Sequence, residues 1–171
     1  VFVNGTNVKE YTEEGLRNKI GIVPQKAVLF KGTIRSNLLW GNESATENDL
    51  MEALKQAQSY DFVMQKENGI DSVVEQNGRN FSGGQRQRLT IARALVRKPE
   101  ILILDDSSSA LDYTTDANLR KEIAKLKDMT VFIVSQRTAS IMDADQIVVL
   151  DDGNIMGIGT HKELLENCEV Y

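Results

Sequence analysis

Residues 101–106 read Ile-Leu-Ile-Leu-Asp-Asp, four apolar residues followed directly by two carboxylates. A short apolar run of this kind is typical of a strand that is buried on both faces of a parallel sheet. In α/β proteins, ligands bind outside the carboxyl ends of such strands. The sequence therefore predicts a buried strand over residues 101–105, whose end carries Asp105 and Asp106 to the ligand-binding edge.

The chain after this strand alternates between apolar runs and helical patterns. The predicted elements are a helix over 114–126, a strand over 131–135, a short helix over 139–144, strands over 147–150 and 154–159 joined by a turn at Asp152-Gly153, and a last helix over 162–166. Strands that alternate with helices predict an α/β fold on a mainly parallel sheet, with helices on both faces.

The chain before this strand has two parts. Residues 1–25 are predicted to form β-structure, with strands over 1–3 and 20–23 and a turn at Asn4-Gly5. Residues 26–98 are predicted to be mostly helical. One helix begins after Thr46, where apolar residues start to recur at helical spacing. A second helix begins near Gly83 and ends before Pro99, which cannot continue a helix.

The composition is that of a globular chain, since 41% of the 171 residues are hydrophobic and 26% are charged. That balance excludes intrinsic disorder, and no run approaches the ~18 apolar residues that span a bilayer. There are 20 basic and 25 acidic side chains, and the resulting net charge of −5 disfavours nucleic acid as a partner. Cys168 is the one cysteine, so an internal disulfide is excluded, as expected in a reducing compartment.

The second helix opens with Phe81-Ser82-Gly83-Gly84-Gln85. Two glycines at a helix start let an anion approach closely, and the free N–H groups and the helix dipole there favour phosphate. The side chains of Ser82 and Gln85 add further donors. Taken alone, the motif is also explained by an ordinary glycine-containing helix start.

Asp105 and Asp106 form a second candidate site. Asp105 is placed to hold Mg²⁺, usually through water, and Asp106 to face a water molecule that acts as a nucleophile. A strand followed by a solvated turn explains this pair at least as well when the pair is considered by itself.

Taken in order, the motifs resemble the nucleotide-binding domain of ATP-binding cassette (ABC) transporters, and more closely that of the exporters. Residues 22–25 resemble the Q-loop, 28–38 the exporter sequence after it, 81–85 the signature, 101–106 Walker B, 109–112 the D-loop, and 143–150 and 159–165 the closing elements. Phe81 stands where leucine is usual. Asp105 follows Gln85 by 20 residues and precedes the D-loop, an order that is highly specific. The resemblance covers nearly the whole chain.

The resemblance implies an incomplete P-loop (RecA-like) ATPase core with a parallel sheet and an inserted α-helical subdomain. Residues 1–25 and 99–171 would form the core, and residues 26–98 the helical subdomain. ATP and Mg²⁺ are the implied cofactors. Asp105 and Gln25 are the implied metal-binding residues, and those implied to bind the nucleotide are Gln25, Ser82, Gly83, Gly84, Gln85 and Asp112.

The sequence lacks G-x-x-x-x-G-K-S/T, the loop that wraps the phosphates of ATP in the family. It also has no start methionine, so we expect a fragment cut inside a longer protein. Such a fragment is expected to bind ATP weakly at best and to be inactive alone. Because sheet edges would be exposed, it is also expected to be marginally stable or oligomeric.

Two further departures fall on the catalytic positions, Asp106 and Gln136. Asp106 stands where active family members carry glutamate, and its shorter side chain misplaces a general base. Gln136 stands where the switch loop of the family has a histidine, and an amide cannot take up or carry a proton. The alternative is that Asp106 is a working substitute.

These departures predict the degenerate-site half of a heterodimeric exporter, at the cytoplasmic face of the cell membrane. Its own site would bind ATP and hydrolyse it poorly, while its signature would act on ATP held by a second nucleotide-binding domain. Three alternatives stay open: a homodimeric exporter that tolerates both substitutions, a soluble ABC-type ATPase, and a non-enzymatic interaction module.

The resemblance also implies that the segment from Gln25 to about Gly41 touches the coupling helices of a transmembrane domain. The apolar candidates are Phe30, Leu38, Leu39 and Trp40. Each of them taken alone is expected in the core. Joint exposure on one face would indicate a docking surface.

Overall fold

The computed structural model describes residues 1–171. The seven strands up to residue 134 form one parallel sheet and two short antiparallel pairs. In chain order the strands are β1 (Phe2–Val3), β2 (Thr6–Asn7), β3 (Ile20–Val23), β4 (Gly32–Thr33), β5 (Val73–Val74), β6 (Ile101–Asp105) and β7 (Thr130–Val134). The parallel sheet has the order β3-β6-β7, with Ile103 opposite both Ile22 and Phe132. β1 pairs with β2, and β4 with β5. The strand predicted over residues 101–105 is confirmed as β6.

Six α-helices accompany these strands. They are α1 (Glu13–Lys19), α2 (Ile34–Leu39), α3 (Glu47–Gln56), α4 (Tyr60–Met64), α5 (Gly83–Val96) and α6 (Tyr113–Ile123). All but α4 follow a residue whose side-chain oxygen accepts a backbone N–H of the first turn, namely Thr12, Thr33, Thr46, Ser82 and Asp112. Such a cap stabilises a helix by about 1 kcal/mol. The helix starts predicted at Thr46 and Gly83 are confirmed.

One hydrophobic cluster joins the sheet to the helices. Leu102 and Leu104 of β6 and Val23 of β3 belong to it and are at most 3% exposed. α5 packs on β3 and adds Leu89 and Leu95. The cluster contains residues of the sheet and of the helices between residues 26 and 98. The predicted division of the chain into an ATPase core and a helical subdomain, with boundaries near residues 25 and 98, stays a prediction.

The opposite face of the sheet carries exposed apolar side chains. Ile22 is 60% exposed, and Phe132 and Val134 are each 56% exposed. They alternate with the buried Gly21 and Val23 in β3 and with the half-buried Val131 and Ile133 in β7, so one side of these strands is left more exposed than the other. The expectation that helices cover both faces of the sheet is therefore wrong for this chain.

Contacts divide the chain into two units, Val1–Val134 and Ser135–Tyr171. The second contains an antiparallel hairpin of β8 (Ile147–Asp151) and β9 (Asn154–Gly159), followed by α7 (His161–Asn167). The strands predicted here are confirmed, but they pair with each other and not in a parallel sheet, because a two-residue turn joins only antiparallel strands. The helix predicted over 139–144 is a single 3₁₀ turn, Thr138–Ser140, which has no side-chain cap.

No helix of the structure is both long and apolar enough to span a membrane. The longest is α5, whose 14 residues make it shorter than the about 20 residues that cross a bilayer.

Candidate functional site

The neighbouring parallel strands β3 and β6 end at the same edge of the sheet and bring Gln25 beside Asp106. Val23 lies opposite Leu104 in the sheet register, and the chain leaves each strand just beyond these residues. Gln25 Nε2 donates a hydrogen bond of 3.2 Å to Asp106 Oδ2. Two of the residues singled out from the sequence are therefore in direct contact.

The backbone of Asp106 is held on both sides. Its N–H donates to the carbonyl oxygen of Val134 over 2.9 Å, and its own carbonyl accepts from Ser109 Oγ over 2.9 Å. Asp106 adopts a left-handed conformation with φ of 43°. Aspartate is one of the few residue types other than glycine that tolerate this region, because its short polar side chain bonds locally. The backbone position from which the Asp106 side chain projects is therefore fixed.

Asp105 ends β6, opposite Val134 of β7, and its side chain is exposed. No group of three or more His, Cys, Asp or Glu side chains in the structure could hold a metal by itself. Mg²⁺ on a nucleotide usually needs only one or two carboxylates, with phosphates and water completing its shell. Two groups fit that limited role: the carboxylate of Asp105 and the amide oxygen of Gln25. The amide nitrogen of Gln25 donates its hydrogen bond to Asp106.

Ser82 and Gln85 close a reciprocal capping box at the start of α5. Ser82 Oγ accepts the N–H of Gln85 over 3.2 Å, and Gln85 Oε1 accepts the N–H of Ser82 over 3.0 Å. Both side chains thus have a structural role that is independent of any ligand. The ordinary explanation of the motif as a helix start is satisfied, and the anion-binding explanation is compatible with it.

The two glycines of this motif have different surroundings. A Cβ on Gly83 would meet nothing within 4 Å, whereas a Cβ on Gly84 would lie 3.1 Å from the carbonyl oxygen of Ala110. Gly84 therefore lets α5 approach the segment that resembles the D-loop. Gly83 is left facing open space, as close approach of a ligand requires.

Asp112 begins α6 as its N-cap. Its carboxylate accepts the N–H of Thr115 over 2.9 Å and the Thr115 hydroxyl over 2.7 Å. These hydrogen bonds, the backbone one first, hold the pKa of Asp112 below its usual range. Asp112 is therefore negatively charged at neutral pH and is engaged by its own helix.

Arg88 was not singled out from the sequence, although it stands one turn after Gly84 in α5. Its Nη1 donates to the carbonyl of Gln58 over 2.6 Å, and its Nε donates to the carbonyl of Gly84 over 3.4 Å. Burial lowers the pKa of Arg88, and the charge of Asp112 opposes that shift. An arginine one turn inside a glycine-led helix start is the sequence signal that could have drawn attention to it.

Gln136 belongs to the second unit, two residues after β7 ends. There it lines a cavity of about 200 Å³ together with Thr138, Leu150 and Tyr171. Its predicted catalytic position stays a prediction.

Phe30 and Trp40 are exposed side by side. Their ring centroids are 4.8 Å apart, and they are 44% and 68% exposed. Arg93 lies over the Phe30 ring and donates Nη2 to the carbonyl of Val28 over 3.0 Å. Leu38 is fully buried. The expected core position is confirmed for Leu38 and wrong for Phe30 and Trp40, because Phe30 lies in a loop and Trp40 follows the end of α2.

The same surface borders a cavity of about 170 Å³, which Arg93 and Arg97 also line. Arg93 Nη1 is buried without a hydrogen-bond partner. Burial lowers the pKa of Arg93, and no carboxylate offsets that effect. The surface therefore combines two exposed aromatic rings with an incompletely satisfied guanidinium group.

Comparisons with known proteins agree with the motifs and the geometry. The family model for ABC transporters matches residues 1–109. The uncharacterized ABC transporter ATP-binding protein YfiB of Bacillus subtilis is 46% identical over 171 residues, which are 100% of this chain and 30% of that protein. A second uncharacterized ABC transporter ATP-binding protein, from Mycobacterium tuberculosis, is 45% identical over 175 residues, again 100% of this chain and 30% of that protein.

Among solved structures, a bacterial Atm1-family ABC exporter with ATP bound superimposes with a TM-score of 0.90 and 36% identity. The match covers 96% of this chain and 29% of the exporter chain. The chain thus spans about 30% of the length of the proteins it matches. The α/β fold expected from the sequence and the resemblance stated from its motifs are both confirmed, and the chain belongs to the ABC transporter family.

Proposed function

We propose that the chain is the ATP-binding part of an exporter, and that it couples binding and hydrolysis of ATP to transport across a membrane. The observation that carries the proposal is the 3.2 Å hydrogen bond between Gln25 and Asp106. It joins the ends of two parallel strands at the edge of the sheet where nucleotides bind. The ATP in the similar Atm1-family exporter supports the same proposal.

In the chain's own site, Asp105 and the amide oxygen of Gln25 would hold Mg²⁺ on the nucleotide. The cation supplies charge neutralisation at the phosphates. Asp106 would face the attacking water, but its side chain is one carbon–carbon bond, about 1.5 Å, shorter than that of glutamate. A misplacement of about 1 Å can cost on the order of 10²-fold in rate. Gln136 cannot accept a proton, so this site binds ATP and hydrolyses it slowly.

The signature of this chain would serve the site of a partner. Ser82, Gly83, Gly84 and Gln85 open α5, where the helix dipole and backbone N–H groups favour phosphate. Open space beside Gly83 leaves that helix start accessible. The partner is a second nucleotide-binding domain with intact catalytic residues, so that the two chains form a heterodimer with one fast and one slow site.

The same proposal places the chain at the cytoplasmic face of the membrane, with coupling helices of a transmembrane domain on the surface of Phe30 and Trp40. Exposed aromatic rings are typical of docking surfaces. The cavity of about 170 Å³ beside the two rings, which Arg93 and Arg97 line, supports this placement.

The role of the signature in trans is tested with two substitutions of Ser82 in the full-length heterodimer. Aspartate and asparagine both cap helices well, so Ser82→Asp and Ser82→Asn each keep α5 intact. Only Ser82→Asp directs a negative charge at the phosphate. We expect Ser82→Asp to lower ATP turnover at the partner's site at least about tenfold and Ser82→Asn to stay near wild type. Equal turnover in the two variants would contradict the proposal.

A further inference from the structure

The two ends of a glutamine amide differ in what they offer a cation. The oxygen can ligate a metal ion, whereas the NH₂ group is only a donor. A glutamine that serves a cation must therefore be held with its oxygen outward. Free rotation about the last side-chain bond of Gln25 would otherwise leave either end facing the ion.

Asp106 supplies the restraint that distinguishes the two ends of Gln25. An ionised carboxylate accepts hydrogen bonds and cannot donate them, so only the NH₂ end of Gln25 can bond to it. The 3.2 Å contact between Gln25 Nε2 and Asp106 Oδ2 has this arrangement. It leaves Oε1 on the other side of the amide, available to a ligand.

The restraint is anchored in the sheet. Asp106 is tied to β7 through its N–H to Val134 and to the following turn through the Ser109 hydroxyl. Gln25, by contrast, lies in an exposed loop beyond Pro24. The fixed member of the pair thus orients the exposed one.

We infer that Asp106 is a positioning residue that holds the amide of Gln25 with its oxygen toward Mg²⁺. The inference rests on the proposed function, in which Gln25 helps to hold the cation of bound ATP. It gives Asp106 a role that does not depend on reaching the attacking water. Carboxylates that orient the histidine ligands of metals act in the same way, and their loss weakens metal binding about 10- to 100-fold.

The test measures Mn²⁺ binding to the full-length protein loaded with a non-hydrolysable ATP analogue, by electron paramagnetic resonance. Asp106→Asn keeps the shape of the side chain, but its amide bonds equally well to either end of Gln25. We expect this substitution to raise the Mn²⁺ dissociation constant about tenfold. Asp106→Glu keeps an acceptor-only group and is expected to restore most of the affinity. Asp128→Asn, at an exposed aspartate, is the matched control and is expected to match wild type.

A double-mutant cycle separates orientation from simple loss of charge. If Asp106 acts through Gln25, the effect of Asp106→Asn disappears in a Gln25→Ala background. If Asp106 attracts the cation by its charge alone, the effect persists there, and the inference is overturned. An unchanged Mn²⁺ affinity in Asp106→Asn would overturn it as well. Failure of the proposed function is distinct, since the wild-type protein would then bind no Mn²⁺ together with the analogue.

Discussion

Gly83 and Gly84 are adjacent in the sequence but differ in what their α-carbons face. The anion-binding pattern treats the two glycines alike, because both stand at a helix start. The structure separates them, since only Gly84 lies against a backbone carbonyl, that of Ala110. That difference depends on where the segment after β6 passes, and no pattern within residues 81–85 contains it.

The first prediction compares alanine at these two positions. Gly84→Ala forces the carbonyl of Ala110 to move, because its new Cβ would lie 3.1 Å from that oxygen. We expect its free energy of unfolding to be lower than that of Gly83→Ala by about 1 kcal/mol or more. Urea unfolding of both variants of this chain measures the difference. Equal stabilities would show that the close approach does not constrain α5.

The second prediction compares Leu38 with Trp40. Leu38 is fully buried, so Leu38→Ala is expected to lower the free energy of unfolding by about 2–5 kcal/mol. Trp40 is 68% exposed and contacts Phe30, so Trp40→Ala should cost only about 1 kcal/mol.

If the full-length protein is an exporter as proposed, Trp40→Ala is nevertheless expected to reduce transport, because Trp40 belongs to the proposed docking surface. Transport assays in vesicles, with ATP binding measured in parallel, check this. Normal transport by Trp40→Ala would contradict the proposal that Phe30 and Trp40 form a docking surface.

Helices and strands were predictable where the signals are local. The capping residues Thr46 and Ser82 directly precede the helices that they specify, and the apolar run over residues 101–104 lies within its strand. The exposure of Phe30 and Trp40 was not predictable in the same way, because exposure depends on packing between distant segments. The contact of Gln25 with Asp106 likewise requires β3 to neighbour β6, and strand order is a property of the whole sheet.

The third prediction concerns acidic pH and the carboxylates at helix starts. Asp49 has a lowered pKa because of its ion pair with Lys98 and its hydrogen bonds to Thr46, and Asp112 has one because of Thr115. A carboxyl group with a lower pKa in the folded chain stabilises it above the unfolded pKa of about 4. That stabilisation is lost as pH falls through the folded pKa.

We therefore expect the melting temperature of the chain to fall steadily below about pH 4. Asp112→Asn keeps the cap but does not titrate, so its melting temperature should depend less on pH over the same range. Circular dichroism melts at pH 7 and pH 3 measure both effects. A wild-type melting temperature that is the same at both pH values would contradict the assignment.

At the scale of the whole molecule, the proposed heterodimer is asymmetric, with one fast and one slow ATP site. The chain presents a helix start with Ser82 and Gly83, while its own sheet edge carries Asp106, where the resemblance to the family implies glutamate in active members. The sequence predicted the motifs at the start of α5 and at the sheet edge, and it predicted a second nucleotide-binding domain as the partner. It could not predict that Asp106 binds Gln25, which gives the shorter side chain a role of its own.

The most direct measurement of this asymmetry is ATP turnover by the proposed full-length heterodimer, with the partner's own site inactivated. Asp106→Glu combined with Gln136→His restores the reach of the base and a group that can accept a proton. We predict that turnover at this chain's site rises on the order of 10²-fold, whereas Asp128→Glu, the same chemical change at an exposed position, leaves it unchanged. Turnover that does not rise in the double variant would contradict the claim that this site is degenerate.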